Sequence, residues 1–225
     1  MSTAGEGHAA ASDAGVGMPL GEAMRTQRSV RRLAAAPVDD EVLLRILSLA
    51  LRAPSGGNRQ PQRFIIVRDR HVKARLARRN RQAWAILRRL SALRARDPRS
   101  QRMLASVQWQ ADHFAEAPVI IVVCSEGWLP PWPPISASTY YGSIYPSVQN
   151  LLLAARAEGL GAGLVTLPLW STVLTRRALG IPWHLQPVCA VPLGWPHASQ
   201  PYGESTRRPV AEVVHVDRWG HRPFL

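Results

Sequence analysis

Three short segments of the chain carry side chains that could bind an anion. An arginine guanidinium can hold a phosphate through paired, charge-assisted hydrogen bonds, and hydroxyls and the amides of glycine loops are further donors. Taken alone, each segment would usually be a solvated surface turn. All three lie at the ends of predicted elements: Gln27-Arg28-Ser29-Val30-Arg31, Pro54-Ser55-Gly56-Gly57-Asn58 and Thr206-Arg207-Arg208-Pro209.

The elements around these segments follow from the spacing of apolar residues. A short helix over 19–27 precedes the first segment, and Asp39 or Asp40 caps a second helix. A proline and paired glycines end that helix in the 53–58 loop. Further helices are predicted at 72–94, 99–115, 145–158 and 170–179, and strands at 64–67, 119–123, 164–167 and 188–193.

Helices and strands alternate along the whole chain without a long linker or an internal repeat. This pattern indicates one α+β domain over residues 19–225. The stretch 1–18 is small, polar and Gly/Ala-rich, which predicts a disordered tail. It lacks the basic start and apolar run of a secretory signal. No apolar run approaches the roughly 20 residues that cross a bilayer. We therefore expect a cytoplasmic protein without a membrane partner.

The net charge of +13 is concentrated in one segment. Between Arg68 and Arg102 there are 13 Arg and Lys residues against two Asp, which leaves +2 for the rest of the chain. The segment is either a solvated helix face, whose Arg stems cover apolar surface, or a source of positive potential that attracts an anionic reductant or substrate. Nucleic acid is the less favoured partner, because Trp84 is the one aromatic residue there that could stack on bases.

Other chemistries have little support in the sequence. Cys124 and Cys189 lie in separate apolar runs and form neither a CxxC pair nor a zinc framework, so we expect buried core thiols. The seven His residues show no metal-ligand spacing, and no Gly-x-Ser-x-Gly elbow is present. Gly159-x-Gly161-x-Gly163 follows a predicted helix and precedes a strand, the reverse of a dinucleotide fingerprint, so it indicates a helix cap and turn.

Taken in order, the motifs resemble the FMN-dependent nitroreductase family, which includes flavin reductases and iodotyrosine deiodinase-like enzymes. The resemblance covers about residues 20–220, and the set is more specific than any single piece. It rests on Gln27-Arg28-Ser29-Val30-Arg31, Ala53-Pro54-Ser55-Gly56-Gly57-Asn58-Arg59-Gln60-Pro61-Gln62, Ala117-Pro118-Val119-Ile120-Ile121-Val122, Ser147-Val148-Gln149-Asn150-Leu151-Leu152-Leu153-Ala154-Ala155, Glu158-Gly159-Leu160-Gly161, Leu193-Gly194-Trp195-Pro196 and Arg207-Arg208-Pro209.

The resemblance implies a nitroreductase-like α+β fold, in which helices flank a central, mostly antiparallel sheet and two chains intertwine as a homodimer. It also implies where FMN would bind. Arg28, Ser29 and Arg31, with Gln27 beside them, would hold the phosphate and the ribityl chain. Arg207 would bring a second charge to the phosphate, and Arg208 could share that task.

The isoalloxazine ring would be held by two other segments. Pro54, Ser55, Gly56 and Asn58 would reach it from the partner subunit. The strand end Val165-Thr166-Leu167 would lie along the ring near N5. Thr166 carries the only hydroxyl there, so we expect it to form a hydrogen bond with N5 or O4.

Departures from the family pattern bear mainly on the substrate. Gln27 and Gln62 stand where the family often has Arg and Trp, and no acidic residue follows Thr166 directly. FMN binding is compatible with these changes. The Pro54 loop also lacks a Met and has Asn58 instead, which argues against the flavin-destroying branch of the family.

The resemblance implies an oxidoreductase that uses NADH or NADPH as electron donor and reduces a nitroaromatic, a quinone or a related small acceptor by a ping-pong mechanism. No protein acid or base is required. Two alternatives remain open, a non-catalytic flavin-binding or storage dimer and a basic nucleic-acid-binding protein. The loop 128–134, rich in Trp and Pro, either caps the flavin pocket or packs in the dimer.

Overall fold

The computed structural model describes residues 16–92, 97–127, 134–200, 202–204 and 206–224. Nearly all of the predicted tail 1–18 lies outside these ranges. So do residues 128–133 of the Trp- and Pro-rich loop and residues 93–96 of the basic segment.

Four antiparallel strands form one sheet, in the order β1-β2-β4-β3. Its central strand β2 is buried from Val119 to Ser125. Such a continuous apolar run is expected where both faces of a sheet are covered, because alternate side chains point to opposite faces. The strands are β1 Gln62–Val67, β2 Val119–Glu126, β3 Gly161–Ala162 and β4 Leu185–Gly194.

Helices cover both faces of the sheet. On one face, α2 and α6 pack against Ile121 and Val123, and on the other α3 packs against Ile120 and Val122. Helices α2 and α6 bury the apolar stripes that their sequences predict. The helices are α1 Leu20–Thr26, α2 Asp40–Ala50, α3 Arg70–Ala92, α4 Pro98–His113, α5 Pro134–Gly142, α6 Tyr145–Ala157 and α7 Thr172–Leu179. The predicted α+β class is confirmed.

The predicted third strand at 164–167 is wrong. The strand is Gly161–Ala162 instead, and Val165 makes a single bridge to Ala190 through two backbone hydrogen bonds of 2.8 Å. Residues Leu167–Leu169 then form a 3-10 turn. Pro168 explains the difference, because it has no N–H for a strand ladder and its φ is fixed near the value of a turn.

Both cysteines are buried thiols in the sheet, as the sequence predicts. Burial raises the pKa of Cys124 to about 11 and that of Cys189 to about 12. Since the thiolate is the reactive form of cysteine, neither side chain is poised for chemistry.

The second half of α3 extends beyond the body of the sheet. Leu76 near its start is fully buried, whereas Ile86, Leu87 and Leu90 are 63%, 41% and 59% exposed. These residues continue the apolar stripe of the helix without a covering neighbour within the described chain. In the described ranges, no helix is both long and apolar enough to cross a membrane.

We expect Gly194→Ala to destabilise the protein. Gly194 pairs with Gly161 across β3 and β4, and a Cβ at Gly194 would lie 2.8 Å from both Cδ and Cγ of Pro118. The rigid proline ring cannot yield cheaply, so the free energy of unfolding should fall by about 1–3 kcal/mol. Urea denaturation measures it. Gly142→Ala is the matched control, since a Cβ there meets nothing within 4 Å. Equal denaturation midpoints for the two variants would contradict the prediction.

Candidate functional site

The first predicted segment leaves α1 and runs beside β3. Gln27 is the C-cap residue of α1. Ser29 then forms a parallel bridge with Ala162, and the Val30 N–H donates to Ala162 O at 3.1 Å. Val30 is 1% exposed, whereas Arg28 and Ser29 are exposed. Burial of Val30 therefore fixes the backbone that presents the polar side chains on either side of it.

Arg31 is a half-buried guanidinium with an unused donor. Its Nη1 donates to Ser106 Oγ on α4 at 3.2 Å, while its buried Nε has no hydrogen-bond partner in the described part of the chain. Burial, and then the positive charge of Arg28, lower the pKa of Arg31 below its ordinary value. A buried donor next to a like charge is unfavourable by itself, and a bound anion would relieve both costs.

A crevice beside Arg28 contains two residues that the sequence did not single out, Arg156 and Tyr202. The Arg156 guanidinium lies 3.8 Å from the centre of the Tyr202 ring, and its Nε donates to Thr26 Oγ1 at 2.9 Å. The Tyr202 hydroxyl is buried and without a hydrogen-bond partner among the described residues. Burial raises the pKa of Tyr202 to about 12, so the hydroxyl stays protonated and can donate.

The third predicted segment follows a stretch that returns to the end of α1. Glu204 pairs with Arg25 at 4.0 Å, and a Cβ at Gly203 would lie 3.6 Å from Arg28 Nη1. Arg207 and Arg208 are exposed, and Arg207 Nη1 donates to Thr206 O at 3.1 Å. The fold thus brings the tail to Arg28 just before these two arginines.

The Pro54–Asn58 loop is anchored elsewhere. The Gly56 N–H donates to Ser143 Oγ at 3.0 Å, which ties the loop to the end of α5. Asn58 and Gln60 have φ angles of 53° and 48°, a region that non-glycine residues seldom adopt. Across the described ranges, no hydrogen bond joins this loop to Gln27–Arg31 or to Arg207 and Arg208.

The Val165–Leu167 segment lies next to the first segment. A Cβ at Gly163 would lie 3.5 Å from Ser29 Cβ, so the chain that leads to Val165 passes directly beside Ser29. The Thr166 side chain is exposed, and only its backbone carbonyl takes part in a hydrogen bond, from Leu169 N–H, in the described structure. Its hydroxyl is therefore free to donate to a ligand.

Three parts of the chain meet at the β3 edge of the sheet: residues 27–31, residues 165–167, and the tail at Gly203, just before Arg207 and Arg208. Arg28, Ser29 and Arg31 supply donors for an anion, and Thr166 supplies a neutral donor on the adjoining segment. Among the described residues, no hydrogen bond links the Pro54 loop to this edge. The arrangement suits a ligand with a phosphate at one end and hydrogen-bonding groups at the other.

Residues 24–195 match the nitroreductase family, and the chain belongs to that family. A 5,6-dimethylbenzimidazole synthase of Rhodospirillum rubrum is 34% identical over 80% of this chain and 83% of its own. A protein of Methanothermobacter thermautotrophicus, named for NADH dehydrogenase and NAD(P)H nitroreductase activity, is 28% identical over 90% of this chain and 88% of its own.

A solved structure confirms the fold. An iodotyrosine deiodinase bound to FMN and 3-iodo-L-tyrosine superposes with a TM-score of 0.69 at 25% identity, over 89% of this chain and all of its own. The nitroreductase-like architecture expected from the sequence is therefore correct.

We expect Arg156→Gln to release the tail from α6. The substitution removes both the cation over the Tyr202 ring and the bond to Thr26, so cleavage after Glu204 by a glutamate-specific protease should accelerate about threefold or more. Mass spectrometry of the fragments measures the cleavage rate. Arg177→Gln, at an exposed arginine on α7, is the control. An unchanged cleavage rate in Arg156→Gln would show that the tail is held by other contacts.

Proposed function

We propose that the chain is an FMN-dependent oxidoreductase that takes electrons from NADH or NADPH and passes them to a nitroaromatic, a quinone or a related small acceptor. The observation that carries the proposal is the buried Nε of Arg31, which has no hydrogen-bond partner in the described part of the chain. The positively charged guanidinium of Arg28 lies close enough to lower the pKa of Arg31. Family membership and the FMN in a relative's structure support the choice of ligand. FMN, when bound, supplies the two-electron chemistry.

The residues of the chain fit the phosphate end of FMN. Arg28 and Arg31 offer charge-assisted hydrogen bonds to a group that carries about −1.5 to −2 charges, and Ser29 and Gln27 offer neutral ones. Tyr202 offers a buried hydroxyl with an unused proton. Arg207 and Arg208 would add charge from the tail, which already reaches Arg28 at Gly203.

The ring end of the cofactor would lie along Val165, Thr166 and Leu167. The exposed Thr166 hydroxyl would donate to the ring edge, where negative charge develops on reduction. No protein acid or base is assigned, because protons can come from water. Donor and acceptor would use the same pocket in turn.

A second subunit would complete the site. Pro54, Ser55, Gly56 and Asn58 have no hydrogen bond to the phosphate-binding segment within the described chain, although the family resemblance assigns them to the same cofactor. An apolar groove between α1, α2 and α6, lined by Met18, Leu20, Leu49 and Leu153 among others, is open in the single chain. Burying such a patch is a normal reason for a stable dimer. We therefore propose a homodimer.

The visible spectrum of the purified protein and of its heat-released supernatant tests the proposal first. Yellow protein that releases FMN, is bleached by NADH or NADPH without air, and gives parallel lines in two-substrate kinetics would support it. Flavin that is bound but turns over with neither nicotinamide would indicate a storage dimer. Protein that remains colourless after incubation with FMN would refute the proposal and leave the nucleic-acid alternative.

Flavin destruction is a second candidate activity, favoured by the 34% identity to a 5,6-dimethylbenzimidazole synthase. Asn58, where that branch is expected to have Met, argues against it. Reduction of the bound flavin followed by exposure to air separates the two activities. Full recovery of FMN supports the reductase, and loss of FMN with formation of the benzimidazole supports the synthase.

Arg28→Gln should weaken FMN binding. A hydrogen bond to a charged group contributes about 1.5–3 kcal/mol, so the dissociation constant should rise about 10- to 100-fold. Fluorescence quenching of added FMN by apoprotein measures it. Arg177→Gln removes an exposed arginine on α7, outside the proposed site, and should change the constant by less than about threefold. If both variants bind FMN as the wild type does, Arg28 does not hold the phosphate.

A further inference from the structure

A groove of about 570 Å³ lies between α3 and α4 and is not part of the proposed FMN site. Its lining includes Arg81, Trp84, Arg88 and Arg89 from α3, with Gln108 and Asp112 from α4. The α3 residues lie three to four positions apart or next to each other, which places them on one side of the helix. The groove is thus formed jointly by the facing sides of α3 and α4.

The floor of the groove is a fixed hydrogen-bond network centred on Gln108. Its Oε1 accepts from Trp84 Nε1 at 2.8 Å and from Arg88 Nη1 at 3.2 Å. Its Nε2 donates to both carboxylate oxygens of Asp112, at 3.0 and 2.9 Å. Since Trp84 and Arg88 can only donate and the Asp112 carboxylate only accepts, the Gln108 amide must point its oxygen at the first two residues and its nitrogen at the third. Trp84 is 6% exposed, so its ring belongs to the floor.

The groove lining carries net positive charge, with three arginines against the single carboxylate of Asp112. Helix α3 contains eight Arg and Lys residues and no acidic residue. Arg81 and Arg89 have neither an ion pair nor a hydrogen bond among the described residues, and both are exposed. Asp112 is the one acidic residue of the lining, and Gln108 already engages both of its oxygens. Two guanidiniums are therefore available for an external anion.

The groove adjoins the proposed FMN site through the helices that form it. Ser106, which accepts from Arg31, is two residues before Gln108 on α4, close along the helix axis but on another face of the helix. The Arg32 guanidinium lies 5.0 Å from the centre of the next residue's ring, Trp109. On the other side, α3 packs against the Leu167–Leu169 turn that directly follows Thr166. A dinucleotide with a phosphate in the groove would therefore have to cross the surface of α4 to bring its nicotinamide to the flavin.

We propose that the α3–α4 groove binds the 2′-phosphate of NADPH, so that the enzyme prefers NADPH to NADH. The inference rests on the proposed function, because it concerns the electron donor. NADPH differs from NADH by one dianionic phosphate, and unpaired guanidiniums discriminate for that group. The buried Trp84 ring offers no face for base stacking, which disfavours single-stranded nucleic acid as the occupant.

The test compares two doubly substituted holoenzymes that lose the same charge from the same helix. Arg81→Gln with Arg89→Gln removes the two unpaired groove arginines, and Arg70→Gln with Arg78→Gln removes two exposed arginines outside the groove lining. The groove variant should raise the KM for NADPH about tenfold or more, with kcat unchanged and the KM for NADH within about twofold. The control variant should leave both KM values within about twofold.

Calorimetric binding of 2′,5′-ADP to the same holoproteins gives a readout without turnover. Wild type and control should bind it at least about tenfold more tightly than 5′-AMP, and the groove variant should lose that difference. If nicotinamides are not oxidised at all, the proposed function fails, while 2′,5′-ADP binding still decides the groove.

Three results would overturn the inference. The first is equal affinity of the wild type for 2′,5′-ADP and 5′-AMP. The second is a parallel rise of both KM values in the groove variant, which would indicate only a general loss of positive potential. The third is displacement of 2′,5′-ADP by a short single-stranded oligonucleotide at lower concentration than by NADPH, which would assign the groove to nucleic acid.

Discussion

The close approach of Val30 to Gly161 is the contact on which the candidate site depends. A Cβ at Gly161 would lie 2.7 Å from Val30 Cγ1, so only glycine lets the first segment lie against β3. With Val30 buried, alternation along an extended chain turns Ser29 outward. The same contact sets Gly163 beside Ser29 and so carries the chain on to Thr166. A single packing constraint thereby positions both ends of the proposed cofactor site.

The two tasks that we propose for the positive charge of the chain differ in their surroundings. Arg31 is partly buried against α4, and its lowered pKa shows that its charged form is disfavoured there. A bound phosphate would stabilise that charged form. Arg81 and Arg89 are exposed, and they cost the fold little when unpaired. The first arrangement favours a ligand that stays bound, and the second favours one that arrives and leaves. This contrast matches a resident cofactor and a transient electron donor.

Within the described ranges the sequence predicted every helix except α5, three of the four strands and the residues of the first segment, because these have periodicity or a motif, whereas α5 follows a Pro-rich stretch and buries no clear apolar stripe. It could not predict the partners of that segment. Ser106 is 75 residues from Arg31, and Arg156 is 130 residues from Thr26, so their proximity exists only in the folded chain. The misplaced strand has a local cause. A two-residue strand of Gly161 and Ala162 has no alternation to detect, whereas the apolar run after it ends at Pro168.

The position of the Pro54 loop decides how the site must be assembled. Its anchor is Ser143 at the end of α5, and its exposed residues adopt left-handed backbone angles that cost energy unless the surroundings use them. The loop is exposed, and within the described ranges it has no hydrogen bond to the site at which the family resemblance gives it a role. The proposed second copy would bring the loop to that site. Cofactor binding and subunit association would then stabilise each other, because each completes contacts that the other requires.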